Sequence, residues 1–208
     1  MTTATVNKPH VGLTQFIDFT IKSSSAKINM VRKIKYQDPY HPSFDYWKQL
    51  REAIITFHEQ DLSFDYFETF IQNVDVRKKE NYIFAIKQYR KFLKGKDISW
   101  FNPGKATWVS NELVVRSSPE LGLIIDGEPH LIKLYFKGER EKINRRNIST
   151  ALTLLNTSIY EEDHGPYINR SVLNIHKSKL FTDATVNQDK LIALHSEAAQ
   201  FMYIWNNI

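Results

Sequence analysis

The 208-residue sequence contains no cysteine. Disulfides, thiolate zinc sites, iron–sulfur clusters and cysteine nucleophiles are therefore excluded. Glycine is scarce, at seven residues. None of them falls in a P-loop, dinucleotide-binding or Gly-x-Ser-x-Gly pattern, which removes the usual sequence support for kinase, nucleotide-hydrolase, dehydrogenase and α/β-hydrolase chemistry. The seven histidines are scattered, with no His-Glu-x-x-His pair, so zinc is not expected. No apolar run reaches the roughly 20 residues that a bilayer-spanning helix needs. The start, "MTTATVNKPHVG", has neither the charged beginning nor the apolar block of a secretory signal. The expectation is a cytoplasmic protein with no membrane partner.

What is present is an ordinary globular composition. Apolar residues make up 42% and aromatics 13%, enough for one domain, or one domain with a helical extension. Charged residues are a quarter of the chain, mixed in sign, and leave a formal charge of +5. That excess is compatible with a nucleic-acid partner and equally with a solvated, slightly basic surface.

The order of elements is readable from periodicity. Residues 1–12 read as a disordered start, and 13–96 as a mainly helical region. Within it the segment 13–37 is ambiguous, whereas Trp47, Leu50, Ile54, Ile55 and Phe57 recur at helical spacing and predict a helix over about 44–60. A break near Asn73 to Val76 precedes a long helix over 77–96, with Ile83, Phe84, Ile86 and Phe92 as its apolar stripe and Gly95 as its stop. Its other face is basic: Arg77, Lys78, Lys79, Lys87, Arg90, Lys91, Lys94 and Lys96, interleaved with Tyr82 and Tyr89, a pattern that could track phosphates while a ring stacks on a base. Residues 97–208 read as a mixed-sheet core. It holds three antiparallel strands (the first over about 105–117), a helix carrying Ile148, Leu152 and Leu155, a further strand after the "EEDHGPY" loop, and a closing helix through Leu194, Ala198 and Phe201.

The hairpin "PELGLIIDGEPHLIKLYFK" is the most specific local feature. Asp126-Gly127 predicts a type I′ turn. Counting outward pairs Ile125 with Glu128, Leu123 with His130, Leu121 with Ile132 and Glu120 with Lys133. Leu121, Leu123, Ile125, Ile132, Leu134 and Phe136 then share an apolar face. Glu120, Lys133, Tyr135 and Lys137 lie on the other. Opposite charges facing each other across an antiparallel pair fix register and contribute about 0.2–1 kcal/mol.

Pro119-Glu120 and Lys133 also carry a resemblance. A helix, three strands, a helix and a fourth strand is the core order of the PD-(D/E)xK nuclease superfamily, the restriction-endonuclease-like fold, and the chain resembles it over about 77–181. Pro119-Glu120 stands where the family has Pro-Asp, and Lys133 where it has the lysine of its acid-x-Lys element. Leu131 occupies the place of that element's acid. The resemblance implies an α/β fold with a restriction-endonuclease-like mixed sheet after the helical N-terminal part. It also implies a protein that binds DNA or RNA and, if active, a Mg²⁺-dependent nuclease. In that reading Glu120 and Lys133 are catalytic. Glu120 ligates the metal with Glu112, or Glu141, as a migrated second acid, and Lys133 stabilises charge at the attacking water. Lys87, Arg90, Arg145 and Arg146 hold phosphates. The alternative is a catalytically inactive nuclease-like fold that binds a protein partner through the aromatic runs "FDYW" and "FDYFETF".

Overall fold

A computed structural model describes residues 8–38, 45–137, 143–144 and 147–208. The chain enters through a short strand, β1 (His10–Gly12), so the loose start read from sequence does not extend to residue 12. The ambiguous segment is two helices, α1 (Leu13–Thr20) and α2 (Ser24–Lys35). Three more follow, α3 (Lys48–Glu59), α4 (Tyr66–Gln72) and α5 (Val76–Leu93). The break between α4 and α5 falls where expected, and Asp75 caps α5 by accepting the Arg77 N–H. Gly95, at φ +74°, turns the chain out of the helix.

The central sheet has five strands in the order β2 (Ile98–Phe101), β5 (Leu121–Ile125), β6 (Glu128–Tyr135), β8 (Asn169–Asn174) and β9 (Lys179–Thr182). β5 lies between β2 and β6 and is antiparallel to both. The chain then passes through α6 (Ser149–Thr157) and returns as β8, parallel to β6. Between β2 and β5 in sequence, the segment expected to be one strand over 105–117 is instead a hairpin, β3 (Ala106–Ser110) and β4 (Leu113–Arg116). Asn111 makes the reversal at φ 51°, a left-handed conformation that Asn tolerates better than most residues. This hairpin belongs to a second, four-stranded sheet, β1-β4-β3-β7, whose edges are β1 and the two-residue β7 (Ile159–Tyr160). The first strand of the meander is therefore β2. The closing helix, α7 (Gln188–Asn206), is where its apolar spacing predicts it.

The five-stranded sheet separates two cores. Leu121, Leu123, Ile125, Ile132, Leu134 and Phe136 all pack with α3, α4 and α5, as the alternation predicts. Tyr135, Val172 and Phe181 face the other core, filled by α1, α2, α6, α7 and the smaller sheet. The aromatic runs are consumed here: Trp47 stacks on Phe136 at 5.1 Å and on Tyr82 at 5.5 Å, and Phe67 is fully enclosed. The buried stripe of α5 is Tyr82, Ala85, Ile86, Tyr89 and Phe92, while Ile83 and Phe84 are exposed. The two tyrosines expected to stack on bases are thus core residues, because only the stripe they belong to repeats every three to four residues along the whole helix.

Tyr89 bonds to His58 Nε2 across the α3–α5 contact. Burial pushes the His58 pKa down to about 4, with Asp61 acting weakly the other way. Burial also holds the Tyr89 hydroxyl protonated, so Tyr89 donates to a neutral imidazole. The unfolded chain, with His58 near 6.5, binds the extra proton between pH 6.5 and 4. The contribution of His58 to stability is therefore complete above pH 6.5 and falls by about 3 kcal/mol as the pH drops through that window. Denaturant midpoints measured across it should decline, and His58→Gln should flatten the decline. An equal decline in both proteins would assign it to other groups.

Candidate functional site

β6 outruns its neighbour. The ladder with β5 closes at Leu121 and Ile132, yet β6 continues to Tyr135. Ile132 turns its carbonyl to the Glu120 N–H at 2.9 Å, so Leu134, two residues further, presents its own N–H on the same side, beyond the end of β5. Glu120 fills that place with its side chain. Oε2 accepts the Leu134 N–H at 2.8 Å, as a backbone carbonyl would if β5 continued. Oε1 pairs with Lys133 Nζ, and the two side chains are only 11% and 12% exposed. From the α3 side Arg51 Nε approaches the same oxygen at 3.9 Å, and Arg51 itself is held by Asp45 at 2.6 Å. The result is an alternating network, Asp45–Arg51–Glu120–Lys133, with two charges of each sign.

One step along the same face lies a second ion pair. Lys133, Tyr135 and Lys137 recur at the two-residue period, about 7 Å apart. Tyr135 donates to Asp18 Oδ1 at 3.1 Å, and Lys137 pairs with Asp18 Oδ2. Asp18 is buried on α1. Sequence reasoning missed both Asp18 and Arg51. Asp18 had a readable signal: it is the one acid in the apolar helix "LTQFIDFT", where an enclosed carboxylate needs a cation.

The other expected site residues do not converge on this pair. Glu112 is exposed at the tip of the β3–β4 hairpin. The opposite end of that hairpin, where the Ser117 N–H donates to the Ala106 carbonyl, leads on to Glu120, so the whole of β4, about 13 Å of strand, lies between the two acids along the chain. Leu131, in the position of the family's second acid, is buried. Lys87 and Arg90 lie on the exposed face of α5, away from the sheet. Arg145, Arg146 and Glu141 lie outside the described residues. In the "EEDHGPY" loop, Asp163 accepts the Gly165 N–H at 2.8 Å and the His164 ring meets the Pro103 carbonyl at 3.1 Å, which makes it a polar turn bonded to itself and to the segment before β3.

A Mg²⁺ ion does not fit Glu120 as placed. Both oxygens are engaged, and the residues that engage them are a cation and an N–H donor, each a competitor of a metal. Among the described residues no group of three His, Asp or Glu side chains could hold a metal ion. What the arrangement does chemically is close the open edge of β6 and neutralise the charges that this requires. No helix among the described residues is long and apolar enough to cross a membrane. No protein-family model matches the chain, and no curated protein or solved structure is significantly similar to it.

Proposed function

We propose that this chain is a nucleic-acid-binding protein on a nuclease-like core, in which the Glu120–Lys133 pair holds the sheet edge and does not hydrolyse phosphodiesters. The observation that carries the reading is the outer face of α5. Lys87, Arg90, Lys91 and Lys94 stand exposed over two turns, and among the described residues none of them has a carboxylate within ion-pair distance. Lys27, Lys133, Lys137 and Lys190, by contrast, are each paired. Four uncompensated cations on one ridge repel each other, and a polyanion relieves that repulsion while releasing its own counterions. Support for the core comes from the order α5, β2, β5, β6, α6, β8, with Pro119-Glu120 ahead of the second strand of the meander and Lys133 on the third.

Binding of labelled DNA and RNA, followed as a function of salt, tests this. The triple variant Lys87→Ala/Lys91→Ala/Lys94→Ala should bind at least about tenfold more weakly at physiological salt. Its log–log salt slope should be shallower by about 2, the share of three phosphate contacts. A slope unchanged by the variant would sink the assignment to α5. Metal-dependent cleavage lost on Glu120→Gln would restore the hydrolytic reading.

A further inference from the structure

The groove beside the α5 ridge carries more than charge. It is an open depression of about 570 Å³ lined by Phe64, Lys87, Arg90, Lys91, Leu93 and Lys94, four cations and two apolar side chains with no acid among them. Phe64 comes from the connection between α3 and α4. Its ring is fixed from behind by Phe57 at 5.6 Å and Phe67 at 5.0 Å. Over its outer side lies the Arg90 guanidinium, 4.8 Å from the ring centroid.

We infer that this groove binds a single-stranded nucleic acid, with one base stacked on Arg90 as the third layer of a Phe64–Arg90–base stack and Lys87, Lys91 and Lys94 along the phosphates. The inference rests on the nucleic-acid reading above and narrows it. An arginine resting on an aromatic ring has its plane set before a ligand arrives, so little side-chain freedom remains to be lost when a base joins the stack. The bases of a duplex are already stacked on one another and offer no free face to such a platform, whereas an unpaired base does. Phe64 and Leu93 give the groove an apolar floor that a duplex, meeting the protein through its phosphates alone, would leave unused. The lysines suit the same ligand: Lys87 to Lys94 is seven residues, or about 10.5 Å of helix axis, a length that follows one strand for a few nucleotides.

The test is fluorescence anisotropy of the full chain with a labelled single-stranded oligonucleotide and with a duplex of the same length, each over a range of salt. The single strand should bind about tenfold tighter or better. Arg90→Lys keeps the charge and removes the planar group. It should weaken the single strand about tenfold, leave its salt slope unchanged and hardly affect the duplex. Lys87→Ala should weaken both ligands and reduce the single-strand slope by about 0.7. Arg90 is exposed, so Arg90→Lys should unfold at the same denaturant concentration as the parent, and that measurement accompanies the binding data. Equal or tighter duplex binding, or an Arg90→Lys variant with parental affinity for the single strand, overturns the stacking platform and leaves the broader nucleic-acid reading standing. Binding to neither ligand overturns both.

Discussion

Replacing Glu120 by alanine should lower stability by about 3–5 kcal/mol, seen as a large fall in the denaturant midpoint at neutral pH. Two losses combine. Lys133, with its side chain 12% exposed, keeps its charge without the carboxylate that neutralised it. The Leu134 N–H, at the uncovered edge of β6, loses its acceptor at the same time. Arg51 is affected less, because Asp45 still holds it. The order of the variants separates these causes. Glu120→Gln keeps a carbonyl oxygen for Leu134 and should cost less than Glu120→Ala. Lys133→Met removes the stranded cation and leaves Glu120 with the Leu134 N–H and Arg51, and should cost the least. In the double variant Glu120→Ala/Lys133→Met the penalty should be smaller than the sum of the singles, since no charge is left unpaired. If Glu120→Ala instead unfolds with the parent, the carboxylate is not closing the sheet, and it becomes available for a ligand.

The hairpin that contains this pair was legible because its determinants are local. Asp126 and Gly127 have φ of 52° and 87°, both positive as a type I′ turn requires, and each pairing counted out from them to Leu121 and Ile132 is present in the structure. Alternation then assigns the buried face without further information. Glu120 was visible as the partner of Lys133, but its second bond was not. That bond depends on β5 stopping before β6 does, and strand ends are set by what the neighbouring chain does. The first strand of the meander failed for a related reason. "ISWF" is too short to show a period, whereas "ATWVSNELVVR" has the stronger β-forming composition, and which of them lies beside β5 is decided by contacts distant in sequence. Strands of three and two residues, β1 and β7, carry no sequence signal, so the edges that make β3 and β4 part of a second sheet could not be read. On α5 the apolar count favoured Ile83 and Phe84 over Tyr82 and Tyr89. The fold chose the tyrosines because their hydroxyls find acceptors inside, Tyr82 at the Tyr46 carbonyl and Tyr89 at His58.

The contact that decides between the two rival first strands also gives the second large effect. Gly122, in the middle of β5, lies opposite Phe101 of β2. A Cβ added there would sit 2.4 Å from the Phe101 carbonyl oxygen and 2.7 and 2.8 Å from two of its ring carbons. The ring can rotate away, but the carbonyl is part of the sheet and can move only if β2 moves. Gly122→Ala should therefore displace β2 from β5 and cost at least about 3 kcal/mol, at the upper end of what overpacking does. Ile98 and Trp100, which pack from β2 against the core beneath α3 and α5, would be pulled from it together. Gly127→Ala supplies the comparison. Its added Cβ meets open space, so only the left-handed backbone at φ 87° opposes it, worth about 1–2 kcal/mol. Measured side by side by chemical denaturation, Gly122→Ala should be clearly the more damaging, although alanine is ordinarily favoured over glycine within a strand. If the two prove equally mild, β2 is not the neighbour of β5, and the meander has to be rebuilt with another first strand.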